Sequence, residues 1–170
     1  KLFGCRGIWA PIAQTIHGRA YPGPWSNWPS AAGWLAQLYY DYWLFTGDRE
    51  FLRERAVPFL KEVALFYIEY LYEGEDGRLV VAPSLSPENR FHYDKGKPAA
   101  VSMASTMDMA MLRDLFSHTL HAAEVLDFDP ALRAQIRAAL PRLFPYQVGR
   151  LGQLQEWYRD WDRADDHHRH

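Results

Sequence analysis

One cysteine, Cys5, stands among 170 residues, so neither an internal disulfide nor a cysteine-rich metal site can form. Its simplest role is that of a small buried hydrophobe. A dominant charge is also missing. Lys and Arg number 19 against 21 Asp and Glu, a formal net charge of -2. The basic residues gather into no stripe that would capture phosphates, which argues against a nucleic-acid partner. No apolar run nears the roughly 20 residues of a membrane helix. The first residues lack the charged, apolar, then small order of a signal peptide. No membrane partner is therefore expected. There is no Gly-x-Ser-x-Gly elbow, phosphate-binding Walker loop or dinucleotide fingerprint, and Cys5 has no evident activating neighbour. No cofactor is called for.

What is abundant is aromatic surface: 15% of the chain, with seven Trp and ten Tyr. Flat rings suit the apolar faces of sugars, and they equally supply large areas to a core. The remaining composition, 48% hydrophobic, is that of one soluble globular domain. The chain starts at Lys1 rather than Met and stops at His170 just after a charged cluster. Both ends are therefore expected to be cuts in a longer protein, and localisation stays open.

Helical spacing dominates the pattern. Tyr21-Pro22-Gly23-Pro24-Trp25 reads as a loop. From Ser30, a candidate N-cap, the residues Ala31, Trp34, Leu35, Leu38, Tyr42 and Phe45 follow one helical stripe that stops at Gly47. Asp48 caps a second segment, and Pro58 sits in the first turn of a third, with Val63, Phe66, Tyr67, Tyr70 and Leu71 facing inward. The turn Glu75-Asp76-Gly77 ends it, and Arg78 to Val81 forms a small β element. Ser105 with Asp108 three residues on reads as a capping box opening a long helix through Met111, Leu115 and Leu126. Asp129-Pro130 caps the next, striped by Leu132, Ile136, Leu140 and Leu143. No fixed-period repeat appears, so an all-α toroid or bundle with short β elements in its loops is expected rather than a solenoid.

Two irregular segments interrupt the helices and carry the candidate chemistry. In Ala82-Pro83-Ser84-Leu85-Ser86-Pro87-Glu88-Asn89 two prolines and two serines stiffen a loop that holds one carboxylate. Ser86-Pro87 resembles the first turn of a short helix, where free N–H groups favour a carboxylate, so capping is the simpler account of Glu88 taken alone. A general acid would instead need burial or a neighbouring carboxylate to hold its proton. Gln153-Leu154-Gln155-Glu156-Trp157 sets an acid beside an indole, an arrangement that grips sugar hydroxyls and ring faces; a surface strand with one anchoring Trp explains it as well. Asp108 reads as a cap. His168 and His170 in the terminal Asp165-Asp166-His167-His168-Arg169-His170 lie one residue apart, which fits no helical ligand pair, so a sugar-orienting role is preferred to metal binding.

Taken together, Trp28-Pro29-Ser30-Ala31-Ala32-Gly33-Trp34-Leu35, Phe45-Thr46-Gly47-Asp48-Arg49-Glu50-Phe51-Leu52, Ala82 to Asn89, Met107-Asp108, Gln155-Glu156-Trp157 and His168-Arg169-His170 resemble, in that order, glycoside hydrolase family ninety-five. These are the inverting α-L-fucosidases and their relatives. The resemblance spans nearly the whole chain. It implies a partial (α/α)6 toroid, incomplete at both ends of residues 1 to 170, and an oligosaccharide or glycan substrate. It also implies Glu88 as the general acid, with Trp34, Asn89, Glu156, Trp157, His168 and His170 facing substrate. The family's water-activating Asn residues would lie before Lys1 and their Asp beyond His170, so the isolated piece is expected to be inactive. Inverting enzymes keep acid and base roughly 6.5 to 9.5 Å apart, to leave room for water. Ile8 to Gly18 departs from the family's Asn-Thr-Asp-containing segment, which leaves the sugar open between fucose, galactose and other deoxy or pentose sugars. Two other readings stand beside this one: another (α/α)6 carbohydrate-active enzyme such as a phosphorylase, or a helical carbohydrate-binding domain without catalysis.

Overall fold

The computed structural model describes residues 3–13, 17 and 28–164. Helix α1 (Ala31–Thr46) ends where the sequence signals it. Gly47 takes a left-handed φ of 66° and its N–H returns to Trp43 O, a conformation that costs glycine nothing. Asp48 then caps α2 (Arg49–Phe51), accepting from the N–H groups of Glu50 and Phe51. Pro58 stands in the first turn of its helix, as expected, although no break separates that helix from the one before. Helical structure runs on from α2 through a π segment (Leu52–Ala56) into α3 (Val57–Tyr70). The Val57 N–H reaches back five residues to Leu52 O, widening the turn just before the proline, which has no N–H to give.

α3 stops at Tyr70, earlier than the turn signal suggests. The Glu75-Asp76-Gly77 turn instead closes a hairpin in which β1 (Leu71–Glu73) pairs antiparallel with β2 (Leu79–Val81). Two further pairs are nested in the excursion that follows. β3 (Ser84–Leu85) pairs with β6 (Val101–Ser102), and between them β4 (Phe91–Tyr93) pairs with β5 (Lys97–Ala99). The polar stretch from Arg90 to Pro98 gave no strand signal because these strands are three residues long and set by register with each other. α4 (Thr106–Val125) and α5 (Pro130–Ala139) complete a helix-rich fold. Asp129 caps α5 by accepting from Leu132 N, as its Asp-Pro pair predicts.

The core lies where α1, α3, α4 and α5 meet, filled by Leu52, Leu60, Val63, Tyr67, Leu112, Leu115, Phe116, Leu132, Ile136 and Leu143. The N-terminal segment docks on α3 through Gly7, whose φ is 76°. A Cβ there would come within 2.1 Å of Glu62 O, and Ile8 N donates to that same carbonyl. Among the described residues no helix is long and apolar enough to cross a membrane.

One face of the sequence pattern is inverted. Of the stripe on α1 only Ala31 is buried; Trp34, Leu35, Leu38, Tyr42 and Phe45 are exposed, while Ala32, Ala36 and Tyr40 on the opposite side are buried. A helix that is apolar all round has no polar face to mark its outside, and the small alanines let α1 approach its neighbours closely. Where α1 meets α4, Tyr40 stacks on His118 with ring centroids 3.9 Å apart and its hydroxyl lies 2.6 Å from His121 Nδ1. Burial holds the His118 pKa below the ordinary histidine value, against the attraction of Asp114 and Asp41 and with the help of His121. The unfolded chain therefore binds the extra proton more readily. The stability this site contributes is present above the unfolded histidine pKa and is lost as pH falls through the lower folded one. Thermal midpoints measured between about pH 8 and pH 5 should drop less steeply in a His118→Gln variant than in the wild type. Equal slopes would exclude His118 as the source.

Candidate functional site

The loop after β2 is built around a turn rather than a helix, which corrects the expectation of a first helical turn at Ser86-Pro87. Asn89 N donates to Ser86 O over 3.2 Å. Pro87 takes the second turn position, where its fixed φ is preformed, and Glu88 takes the third with φ 59°. That third position normally belongs to glycine. A glutamate there costs about 1 kcal/mol of backbone strain. Helix-dipole capping therefore does not explain Glu88. Its side chain is exposed, between the buried Pro87 and Asn89.

Beneath the turn two buried carboxylates hold the loop through its two serines. Ser84 Oγ donates to Asp108 Oδ2 over 2.6 Å, and Leu85 N donates to the same oxygen over 3.3 Å. Ser86 Oγ donates to Glu156 Oε1. Stiffness in this loop thus comes from tertiary partners of the serines as much as from proline. Asp108 is wholly buried, and its other oxygen accepts from Trp28 Nε1 (2.7 Å) and Ser30 Oγ (2.6 Å). Burial pushes its pKa up, partly offset by these donors. Its capping role is smaller than expected. Ser105 Oγ does accept from Asp108 N, but the Asp108 carboxylate turns away from the helix end toward the loop and α1. Ser30, in turn, caps nothing with its side chain; its hydroxyl serves Asp108. Tyr67 seals this region, donating to Pro29 O over 2.5 Å, with its phenol pKa raised by complete burial.

The Gln155-Glu156-Trp157 segment is buried, not a surface strand. Glu156 N donates to both oxygens of Asp162, which is itself buried and also accepts from Gln153 Nε2 over 2.9 Å. Thr106, at the start of α4, donates through its N–H to Glu156 O and through its hydroxyl to Gln155 O. Trp157 packs edge-on against Phe91, which stacks on Trp161 at 4.1 Å. With 2% of its surface exposed, Trp157 works as a wall behind the loop. Asn89 is 7% exposed; its Oδ1 accepts from Arg90 N, and its Nδ2 is buried without a hydrogen-bond partner among the described residues.

The structure therefore gathers Glu88, Asn89, Glu156 and Trp157 around one loop. Trp34 lies a step away, 56% exposed and 6.1 Å from Trp28, the residue that donates to Asp108. It borders an apolar cavity of about 320 Å³ with Ala10, Pro11, Ile12, Ala31, Leu35 and Leu38. Glu88 borders neither this cavity nor the two described elsewhere, one between α3 and the end of α4 and one beside the β1–β2 hairpin. His168 and His170 lie outside the described residues. Sequence reasoning missed Asp162 and the partners of Ser84, Ser86, Trp28 and Ser30, because a serine or indole that serves a distant carboxylate carries no local signal. Cys5 is partly buried, and burial with the nearby Glu69 raises its thiol pKa, which suits a packing role rather than a nucleophile.

The chain is 35% identical over 164 residues to "Alpha-L-fucosidase 2" of Arabidopsis thaliana, covering 96% of this chain and 19% of that protein. It is 31% identical over 151 residues to "Probable alpha-fucosidase A" of Aspergillus niger, covering 86% of this chain and 18% of that protein. The chain thus spans about a fifth of the length of these curated relatives. Among solved structures it superposes on a "Putative kojibiose phosphorylase from human microbiome" with a TM-score of 0.65 at 15% identity, covering 84% of this chain and 22% of that one. That likeness is one of fold. With the family model for the glycosyl hydrolase family 95 catalytic domain matching residues 1–170, from end to end, the chain belongs to that family.

Proposed function

We propose that this chain is the acid-bearing part of an (α/α)6 catalytic toroid that hydrolyses terminal α-L-fucosidic or related α-glycosidic bonds with inversion. The observation that carries the reading is Glu88 itself, held at positive φ on a loop tied from below by two buried carboxylates. Strain of this kind persists where the surroundings impose it, and it is common at functional sites. The names of the relatives, both α-fucosidases, support the substrate class.

In this reading the C1–O bond of the glycoside breaks with its electron pair passing to the leaving oxygen, which takes the Glu88 proton. Water adds to C1 from the opposite face and gives its proton to a base supplied outside these 170 residues. Trp34 offers the sugar an open indole face, while the Asn89 amide lies buried beside Glu88. The partner is a glycan. The exposed apolar face of α1 fits a helix that is covered on both sides in the complete ring.

The test is product stereochemistry. Proton NMR of an aryl α-L-fucoside digest by the full-length enzyme should show β-L-fucose as the first anomer, at a rate unchanged by inorganic phosphate. An α anomer formed first would exclude inversion. A rate that needs phosphate, with a sugar phosphate as product, would instead establish the phosphorylase alternative that the fold likeness keeps in view.

A further inference from the structure

We propose that Asp108 is a positioning residue for Glu88, acting through Ser84 and Leu85 to fix the height and direction of the loop; this rests on the reading of Glu88 as the acid. A carboxylate presents about four lone-pair sites. In Asp108 all four are met, two by Trp28 Nε1 and Ser30 Oγ on Oδ1, and two by Ser84 Oγ and Leu85 N on Oδ2. Asp108 is wholly buried, so it has neither a free lone pair nor an open path to substrate. Its effect must pass through what it holds.

What it holds is divided cleanly between its oxygens. Oδ1 grips the approach to α1, the segment that also presents Trp34. Oδ2 grips the first two residues of the strand that leads into the Glu88 turn. The first turn of α4 is the fixed post between them, because Ser105 N donates to Ser84 Oγ and Ser105 Oγ donates to Leu85 O. From Leu85 to Glu88 the chain is also held by the pairing of Leu85 with Val101 and by Ser86 Oγ on Glu156. Releasing the Asp108 side leaves Ser84 and Leu85 on Ser105 and β6 without the bonds that set their height, and displacement of about 1 Å in a catalytic group costs on the order of 10²-fold in rate.

The division by oxygen makes the test selective. In Asp108→Asn the remaining carbonyl keeps Trp28 and Ser30, while the new NH₂ faces the Leu85 N–H, from which it cannot accept, and must donate to Ser84 Oγ where the carboxylate accepted from it. Only the loop side is altered. In the full-length enzyme, kcat for an aryl α-L-fucoside with a poor leaving group should fall about 10- to 100-fold. It should fall several-fold less for an activated aryl group, with KM little changed. Ser84→Ala cuts the same tether from the other end and leaves the carboxylate in place, so it decides the matter if the Asp108 variant does not fold. Where both fold, the double variant should be no worse than the poorer single one.

Equal losses on both substrates in Ser84→Ala, or no loss, would overturn the inference, since a purely structural role has no reason to depend on the leaving group. Glu88→Gln run alongside separates two failures. If it shows no leaving-group dependence, the acid assignment fails and Asp108 has no acid to position. If it shows dependence and Ser84→Ala does not, the positioning role alone is wrong.

Discussion

Replacing Glu88 with Gln in the full-length enzyme is expected to slow hydrolysis of an aryl α-L-fucoside with a poor leaving group by about 10²- to 10⁴-fold. Activated aryl fucosides, whose departing oxygen needs little help from a proton, should be slowed far less. The substitution keeps volume and backbone and removes only the proton that can be donated, so a loss confined to poor leaving groups identifies acid catalysis. Wild-type rates on both substrates would remove Glu88 from the mechanism. A companion Glu88→Gly variant addresses the backbone. Glycine accepts φ near 59° without strain, so relief of about 1 kcal/mol should offset the contacts of an exposed side chain and hold or raise the thermal midpoint while activity is lost. A midpoint several degrees lower would assign Glu88 a structural role instead.

The second large effect is expected on α1. Phe45 is 90% exposed and Leu38 63% exposed within these residues, on the side of the helix opposite Ala32, Ala36 and Tyr40. If this chain is one arc of a closed ring, both side chains are core residues of the complete domain. Phe45→Ala should then cost the full-length enzyme about 3 to 5 kcal/mol and Leu38→Ala about 2 to 5, the range for truncating buried apolar side chains. Denaturant unfolding with unchanged slope would measure it. Losses within about 0.5 kcal/mol, the usual size for surface positions, would mean that nothing covers this face. The two outcomes differ several-fold, and a single variant is enough to separate them.

Much of the local structure was legible because it is caused locally. Gly47 and Asp48 end one helix and start the next through their own φ and side-chain acceptor, and Asp129-Pro130 does the same for α5. Of the stripe Leu132, Ile136, Leu140 and Leu143, the two residues on α5, Leu132 and Ile136, are buried as their spacing predicts, since α5 has one apolar face and one polar face; beyond its end Leu143 is buried and Leu140 half-buried. α1 was misread for the opposite reason: its pattern offers two apolar faces, and spacing alone cannot choose between them. Only half of the capping box at Ser105 forms, Asp108 N donating to Ser105 Oγ, and that reading concealed the main partners of Asp108, because a cap explains an aspartate at that position before any distant contact is sought.

The loop at Glu88 marks the boundary most clearly. Residues 82–89 are irregular and stiff and hold one carboxylate by residue identity and near neighbours, and the order of motifs along the chain carries the family. Folding in space adds that Glu88 stands at positive φ in a turn rather than at a helix end, and that Ser84 and Ser86 are held by Asp108 and Glu156, 24 and 70 residues further along the chain. A buried carboxylate must find donors wherever the fold brings them, so its partners are chosen by packing in space and leave no trace in spacing along the chain.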